Sequence, residues 1–252
     1  MNGRTRSELP LPMALRASGG PPTRFKASLR RCWASLLCEL ELQARNGLYA
    51  ATGFVVLVIL ATLVTLPTSG IARLLPALAL NSLAITAFFF GAALSLLATA
   101  EGSAAARSVT PLRPAEALVA RTLSLALLGG LQLVALGLVL LGLTPALGLL
   151  VLGAVLSAAI LALFGAALAA GEQSLSQFVL RALPWLVGLL IPMITDVLDW
   201  HIPLLWFHPL EGPMSLMRAA IVPTTWPMIL LGFGLALVWL GASFGFALRR
   251  WR

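Results

Sequence analysis

Residues 117–169 read ALVARTLSLALLGGLQLVALGLVLLGLTPALGLLVLGAVLSAAILALFGAALA, and this stretch decides the fold. Arg121 is its only charged residue, and Gly142-Leu143-Thr144-Pro145 divides it in two. Each half, Ala117 to Leu141 and Ala146 to Ala169, is long enough to cross a hydrocarbon layer of about 30 Å. Within lipid the backbone must satisfy its own hydrogen bonds, so runs of this length predict helices. The reading is a tight hairpin of two membrane-spanning helices.

Working outward, the same pattern recurs. Leu48 to Leu66 is an apolar run stopped by Pro67-Thr68-Ser69-Gly70, and Ala77 to Thr99 is a second, stopped by Glu101 and Gly102. Beyond the hairpin, Leu183 to Leu198 is shorter and broken by Pro184 and Pro192, and Trp226 to Leu248 ends in Arg249-Arg250-Trp251-Arg252. The expectation is an all-α integral membrane domain over 48–252, with spans at 48–66, 77–99, 117–141, 146–169, 183–198 and 226–248. Of the 252 residues 60% are hydrophobic and 10% charged, and the mean hydropathy is +0.97. That composition excludes a water-soluble enzyme or a nucleic-acid-binding domain. The net charge of +8 reflects basic residues gathered outside the apolar runs, where they act as topology signals. With six spans, fifteen of the 17 basic residues fall on one side and only Arg73 and Arg218 on the other. The positive-inside rule then predicts both termini in the cytoplasm.

Residues 1–23 contain three arginines, four prolines and no apolar run, which reads as a flexible cytoplasmic tail rather than a cleavable signal peptide. Residues 24–47 place Phe25, Leu29, Trp33, Leu36, Leu37 and Leu40 within about 120° of one helical face. An amphipathic helix lying in the cytoplasmic interface is expected, with Lys26 snorkelling to the headgroups. Between the fifth and sixth spans, residues 200–223 are too apolar for a solvated loop and too rich in proline for one helix. They predict a re-entrant outer segment against spans five and six, anchored by Trp200 and Trp206.

The chemistry that is missing narrows the function. A phosphate-cradling loop ends in Gly-Lys-Ser/Thr, and the sole lysine, Lys26, lies between Phe25 and Ala27. His201 and His208 are the only histidines, so no His-Glu-x-x-His site can form, and no metal centre is expected. Asp196, Asp199, His201, His208 and Glu211 concentrate near the outer face without a recognised ligand spacing. Cys32 and Cys38 stand six apart in one helix, on different faces, and predict no disulfide. In the spans Asn81 and Gln132 carry the full amides. With Phe88 they are candidates for a substrate path, interhelical hydrogen bonding being the plainer use. No relay of buried acids and histidines crosses the spans, so transport energy would come from elsewhere.

Three stretches carry a resemblance. Glu41-Leu42-Gln43-Ala44-Arg45-Asn46-Gly47-Leu48-Tyr49 resembles an elbow-to-span junction. Glu101 followed by Thr110-Pro111-Leu112-Arg113-Pro114-Ala115-Glu116 resembles the loop after the second span, with a single acid where relatives carry a cluster. Trp206-Phe207-His208-Pro209-Leu210-Glu211-Gly212-Pro213 resembles an outer segment before the last span. In this order the chain resembles a type 2 (exporter-type) ABC transporter permease of the drug and fluoroquinolone-exporter branch, from Phe25 to the C-terminus. The resemblance implies a permease that pairs with a second permease, identical or paralogous. It also implies two separate ATP-binding subunits holding ATP and Mg, and no cofactor on this chain. It assigns ATPase coupling to Arg30, Arg31, Glu39, Glu101, Arg107, Pro111 and Arg113, and an outer gate to Trp206, Phe207, His208 and Pro209. The cargo would be amphipathic or lipophilic, drugs or lipids, exported across a bacterial inner membrane. The excess of arginine over lysine also fits a bacterial, GC-rich source. Haem, a polysaccharide or a lipid-linked intermediate is the alternative cargo, and a non-transporting membrane scaffold the alternative class. A neighbouring gene for an ATPase separates transport from scaffold.

Overall fold

The structure is a computed structural model describing residues 24–65, 67–102, 112–200 and 202–250. Arg107, Pro111, His201 and the expected tail 1–23 lie outside the described residues. Every regular element among the described residues is helical. In chain order these are α1 (Arg24–Arg45), α2 (Leu48–Val64), α3 (Thr68–Leu83), a π-helical segment (Ala84–Phe89) and α4 (Phe90–Ala100). Then come α5 (Pro114–Leu140), α6 (Pro145–Ala169), α7 (Leu175–Leu189), α8 (Ile191–Val197), a 3-10 turn (Pro203–Phe207), α9 (Glu211–Ala219) and α10 (Trp226–Arg250).

Among the described residues four helices are long and apolar enough to cross a membrane: Leu74–Ala100, Pro114–Leu140, Pro145–Ala169 and Trp226–Arg250. Two bent pairs bring the number to six if each is one crossing. The first joins α1 to α2 through a 65° bend at Gly47, whose φ of 71° is left-handed and comes at no steric cost only in glycine. The second joins α7 to α8 through a 44° bend. The expected fifth span begins at Leu183, but helix begins at Leu175, where the Ser174 hydroxyl accepts from the Gln177 N–H. Helix also begins at Thr68, ahead of the apolar run of the second span, and continues through Pro76.

The hairpin read from residues 117–169 is the centre of the bundle. α5 and α6 run antiparallel and close together because glycines face the seam. A Cβ at Gly130 would come 2.9 Å from Val155, and one at Gly137 would come within 2.4 Å of Leu147. Small residues let helix backbones approach where lipid supplies no hydrophobic drive. α6 is buried almost all round beyond its first turns, whereas α10 keeps most of its surface exposed. On another side of α6 the π segment packs so closely that a Cβ at Gly165 would stand 2.5 Å from the Phe88 carbonyl oxygen. Phe88, Phe89 and Phe178 stack there, with centroids 5.4 to 6.3 Å apart.

The segment after α8 differs from its sequence reading in where it rests. α9 wedges between α6 and α10 rather than against spans five and six alone. A Cβ at Gly153 of α6 would meet Met217 and the Pro213 carbonyl, and Gly212 sits against the backbone of Gly232 and Ala236 in α10. Pro213, Met214, Leu216 and Met217 are buried by this packing, which supplies the cover that their apolarity demands. His208 ties the segment to α7 through the Gly188 carbonyl.

Candidate coupling seam and translocation residues

Along α1, the residues facing α5 form a polar seam inside an otherwise apolar interface. Glu116, in the first turn of α5, accepts from the Arg31 guanidinium twice, at 3.0 and 2.8 Å, and from the Ser28 hydroxyl at 2.5 Å. It also accepts from the backbone N–H of Arg113 at 3.1 Å, as an acid three residues past an N-cap does. Farther along, the Arg121 guanidinium reaches Glu39 at 3.1 Å and the Ser95 hydroxyl of α4 at 2.7 Å. The side chains of Arg121 and Glu39 are only 2% and 8% exposed. Gln43 Nε2 then donates to Ser124 Oγ at 2.9 Å. Fork-shaped guanidinium–carboxylate contacts are among the strongest directional links available to side chains. The seam therefore ties α1, α4 and α5 into one body.

The amphipathic face assigned to α1 divides in two. Leu36 is buried against the bundle, and Leu29, Trp33 and Leu37 are half or more exposed. The buried part shares its face with Glu39 and Gln43, which periodicity alone counts as polar and outward.

In the middle of the bundle, Thr86 of the π segment donates to Gln132 Oε1 at 3.2 Å and to the Ser82 carbonyl at 3.1 Å. Gln132 Nε2 is buried and has no hydrogen-bond partner among the described residues. Phe88 is fully buried nearby in sequence, but Asn81 lies on the outer surface of the chain. The three expected path residues thus do not share one surface.

At the end of the bundle opposite α1, a cavity of about 740 Å³ is lined by Asp196, Asp199, Glu211 and Arg218 together with Trp200 and Trp206. Arg218 bridges Glu211 and Asp196, the latter at 3.4 Å. Burial pushes the Glu211 carboxyl above its ordinary range, and Arg218 opposes that shift. His208 lies outside this cavity. Its Nδ1 accepts from the Leu210 N–H at 3.2 Å, which leaves Nε2 as the donor to the Gly188 carbonyl at 3.0 Å. Burial lowers the His208 pKa, and the bond to Gly188 partly opposes this. Of the expected gate residues, Phe207 is exposed, and Trp206, His208 and Pro209 are half-buried.

Of the expected coupling residues, Arg30, Glu101 and Arg113 are exposed, and Arg31 and Glu39 are engaged within the chain. Sequence reasoning missed the partners Glu116 and Arg121, and Arg218 as the bridge between Asp196 and Glu211. A signal existed for Arg121: an ionisable residue inside an apolar helix implies a buried partner. No group of metal-binding side chains occurs among the described residues. Compared with curated proteins, the chain matches none. A model of the fluoroquinolones export permease protein family matches residues 30–249, from the seam of α1 to the end of α10. A multi-pass helical bundle matched by that model over most of its length is a permease of the membrane, and the chain belongs to the fluoroquinolone export permease family.

Proposed function

We propose that the chain is the membrane-spanning permease subunit of an ATP-binding cassette exporter that moves amphipathic or lipophilic molecules, drugs or lipids, out of a bacterial cell. ATP and Mg are held by two copies of a separate subunit, and a second permease, identical or paralogous, completes the path. Six crossings place both termini in the cytoplasm. The observation that supports this reading is the seam of α1. It binds an interfacial helix rigidly to α4 and α5, the two helices whose connection would meet the ATPase. A push on α1 then moves these spans together, as rigid-body switching requires. Arg30, Glu101 and Arg113, with Arg107 and Pro111 of the connection, offer the contact surface, and Arg31 and Glu39 hold the lever in place. Inside, Thr86 and Gln132 supply hydrogen-bonding groups in an apolar path, and the acidic outer cavity receives the cargo on release.

The test is export of a fluorescent amphiphile from cells producing the chain with its ATPase subunit. Dye accumulation falls when both are present and returns when the phosphate-loop lysine of the ATPase is replaced. The purified chain alone hydrolyses no ATP, for want of a loop lysine. Export that survives the lysine replacement, or turnover by the chain alone, sinks the reading.

A further inference from the structure

A second cavity, of about 470 Å³, is an apolar slot between α7 and α10, backed by Phe164 of α6. Trp185 and Gly188 line it from α7 and Trp239 from α10, and His208 with Pro209 close it at the level of Gly188. Trp185 lies one turn before Gly188 along α7, and its ring is 6.4 Å from Phe246, two turns beyond Trp239 along α10. The two helices therefore run antiparallel past the slot. One turn farther along each, at the end away from Pro209, stand Arg181 and Arg250. The Arg250 guanidinium lies 5.8 Å from the centroid of the Phe246 ring. Arg181 is half exposed and pairs at 2.5 Å with Glu172, and Arg249 follows Leu248 beside Arg250. Arg181 and Arg250 against the one carboxylate of Glu172 leave the described part of this mouth positive.

We infer that the slot holds one hydrocarbon chain of an anionic phospholipid whose phosphate rests on Arg181 and Arg250. Two independent observations meet in it. Almost nothing polar lines the slot, so a hydrocarbon is its natural occupant, and its volume is that of a small-ligand site. The mouth carries guanidinium groups one helical turn from the aromatic pair, the depth at which aromatic and basic side chains meet lipid headgroups. Basic pockets between spanning helices favour anionic headgroups, and a zwitterionic lipid brings no net charge to them. Trp185, half exposed in the isolated chain, is covered by the acyl chain. Occupation of the slot depends on its own lining and on the two arginines, and is separate from the transport reading above.

The test uses the purified full chain, stripped of lipid in detergent and titrated with phosphatidylglycerol or phosphatidylcholine of identical chains, with bound lipid counted by native mass spectrometry. One phosphatidylglycerol per chain is retained in preference to phosphatidylcholine. Replacing both arginines, Arg181→Gln with Arg250→Gln, weakens its retention on the order of tenfold. Gly188→Phe fills the slot, where an added Cβ meets nothing within 4 Å, and abolishes retention of both lipids. Melting curves of the same samples show that the variants remain folded. Equal retention of the two lipids by the unaltered chain overturns the inference, and so does undiminished phosphatidylglycerol binding by either folded variant.

Discussion

Arg121 sits in an apolar helix with 2% of its side chain exposed, and what makes this tolerable is Glu39 on a helix 82 residues away in sequence. Two charges withdrawn from water survive only with close geometry and their remaining protons satisfied. Here Ser95 takes a further donor. Loss of one partner of such a pair is therefore far more costly than loss of both. Glu39→Leu or Arg121→Met alone is expected to cost about 3 kcal/mol or more, and the two together to recover most of that cost. Denaturant unfolding in mixed micelles, followed by circular dichroism, measures the cycle. Additive losses would show that the two side chains are not coupled.

At the scale of elements, the break between α7 and α8 has an identifiable cause. In an unbroken helix the Gly188 carbonyl would accept from the N–H four residues on, but that residue is Pro192, which has none. The orphaned carbonyl is taken by His208 Nε2 at 3.0 Å, so a proline in one element recruits a histidine from another. The arrangement needs a neutral ring, because Nδ1 accepts from the Leu210 N–H. With its pKa lowered by burial, His208 contributes stability that is intact above the ordinary value of 6.5 and lost as the pH falls below it toward the folded value. Glu211, shifted upward, has the opposite slope, so a variant is needed to isolate the ring. The melting temperature of the unaltered chain is expected to drop more steeply than that of His208→Gln between about pH 7 and pH 5.5. Parallel profiles for the two proteins would remove the ring from the account.

At the scale of the whole molecule, basic residues gather at the end that holds α1, while Asp196, Asp199 and Glu211 line one cavity at the other. The proposed topology makes the first end cytoplasmic. On a background without Cys32 and Cys38, a membrane-impermeant thiol reagent added to intact cells should label Leu143→Cys and Thr224→Cys, both exposed positions. It should leave Gln173→Cys and Glu101→Cys untouched until the membrane is opened. Labelling of Gln173→Cys from outside inverts the orientation. Labelling at one expected outer position but not the other removes a crossing.

Apolar run length by itself determined that this chain is a helical membrane protein, because in hydrocarbon a backbone has few ways to satisfy its hydrogen bonds. The α5–α6 hairpin likewise lies where the turn Gly142-Leu143-Thr144-Pro145 puts it. Pairing across distance was not legible. Arg31 with Glu116, Glu39 with Arg121, and Arg218 between Glu211 and Asp196 each join different elements. Periodicity reports which face a residue occupies and not what stands opposite. Nor could composition tell Asn81, on the outer surface, from Gln132, buried against Thr86, since both are amides in apolar runs. Tertiary packing alone decided where α9 rests, because that depends on glycines in three helices that let α9 approach α6 on one side and α10 on the other.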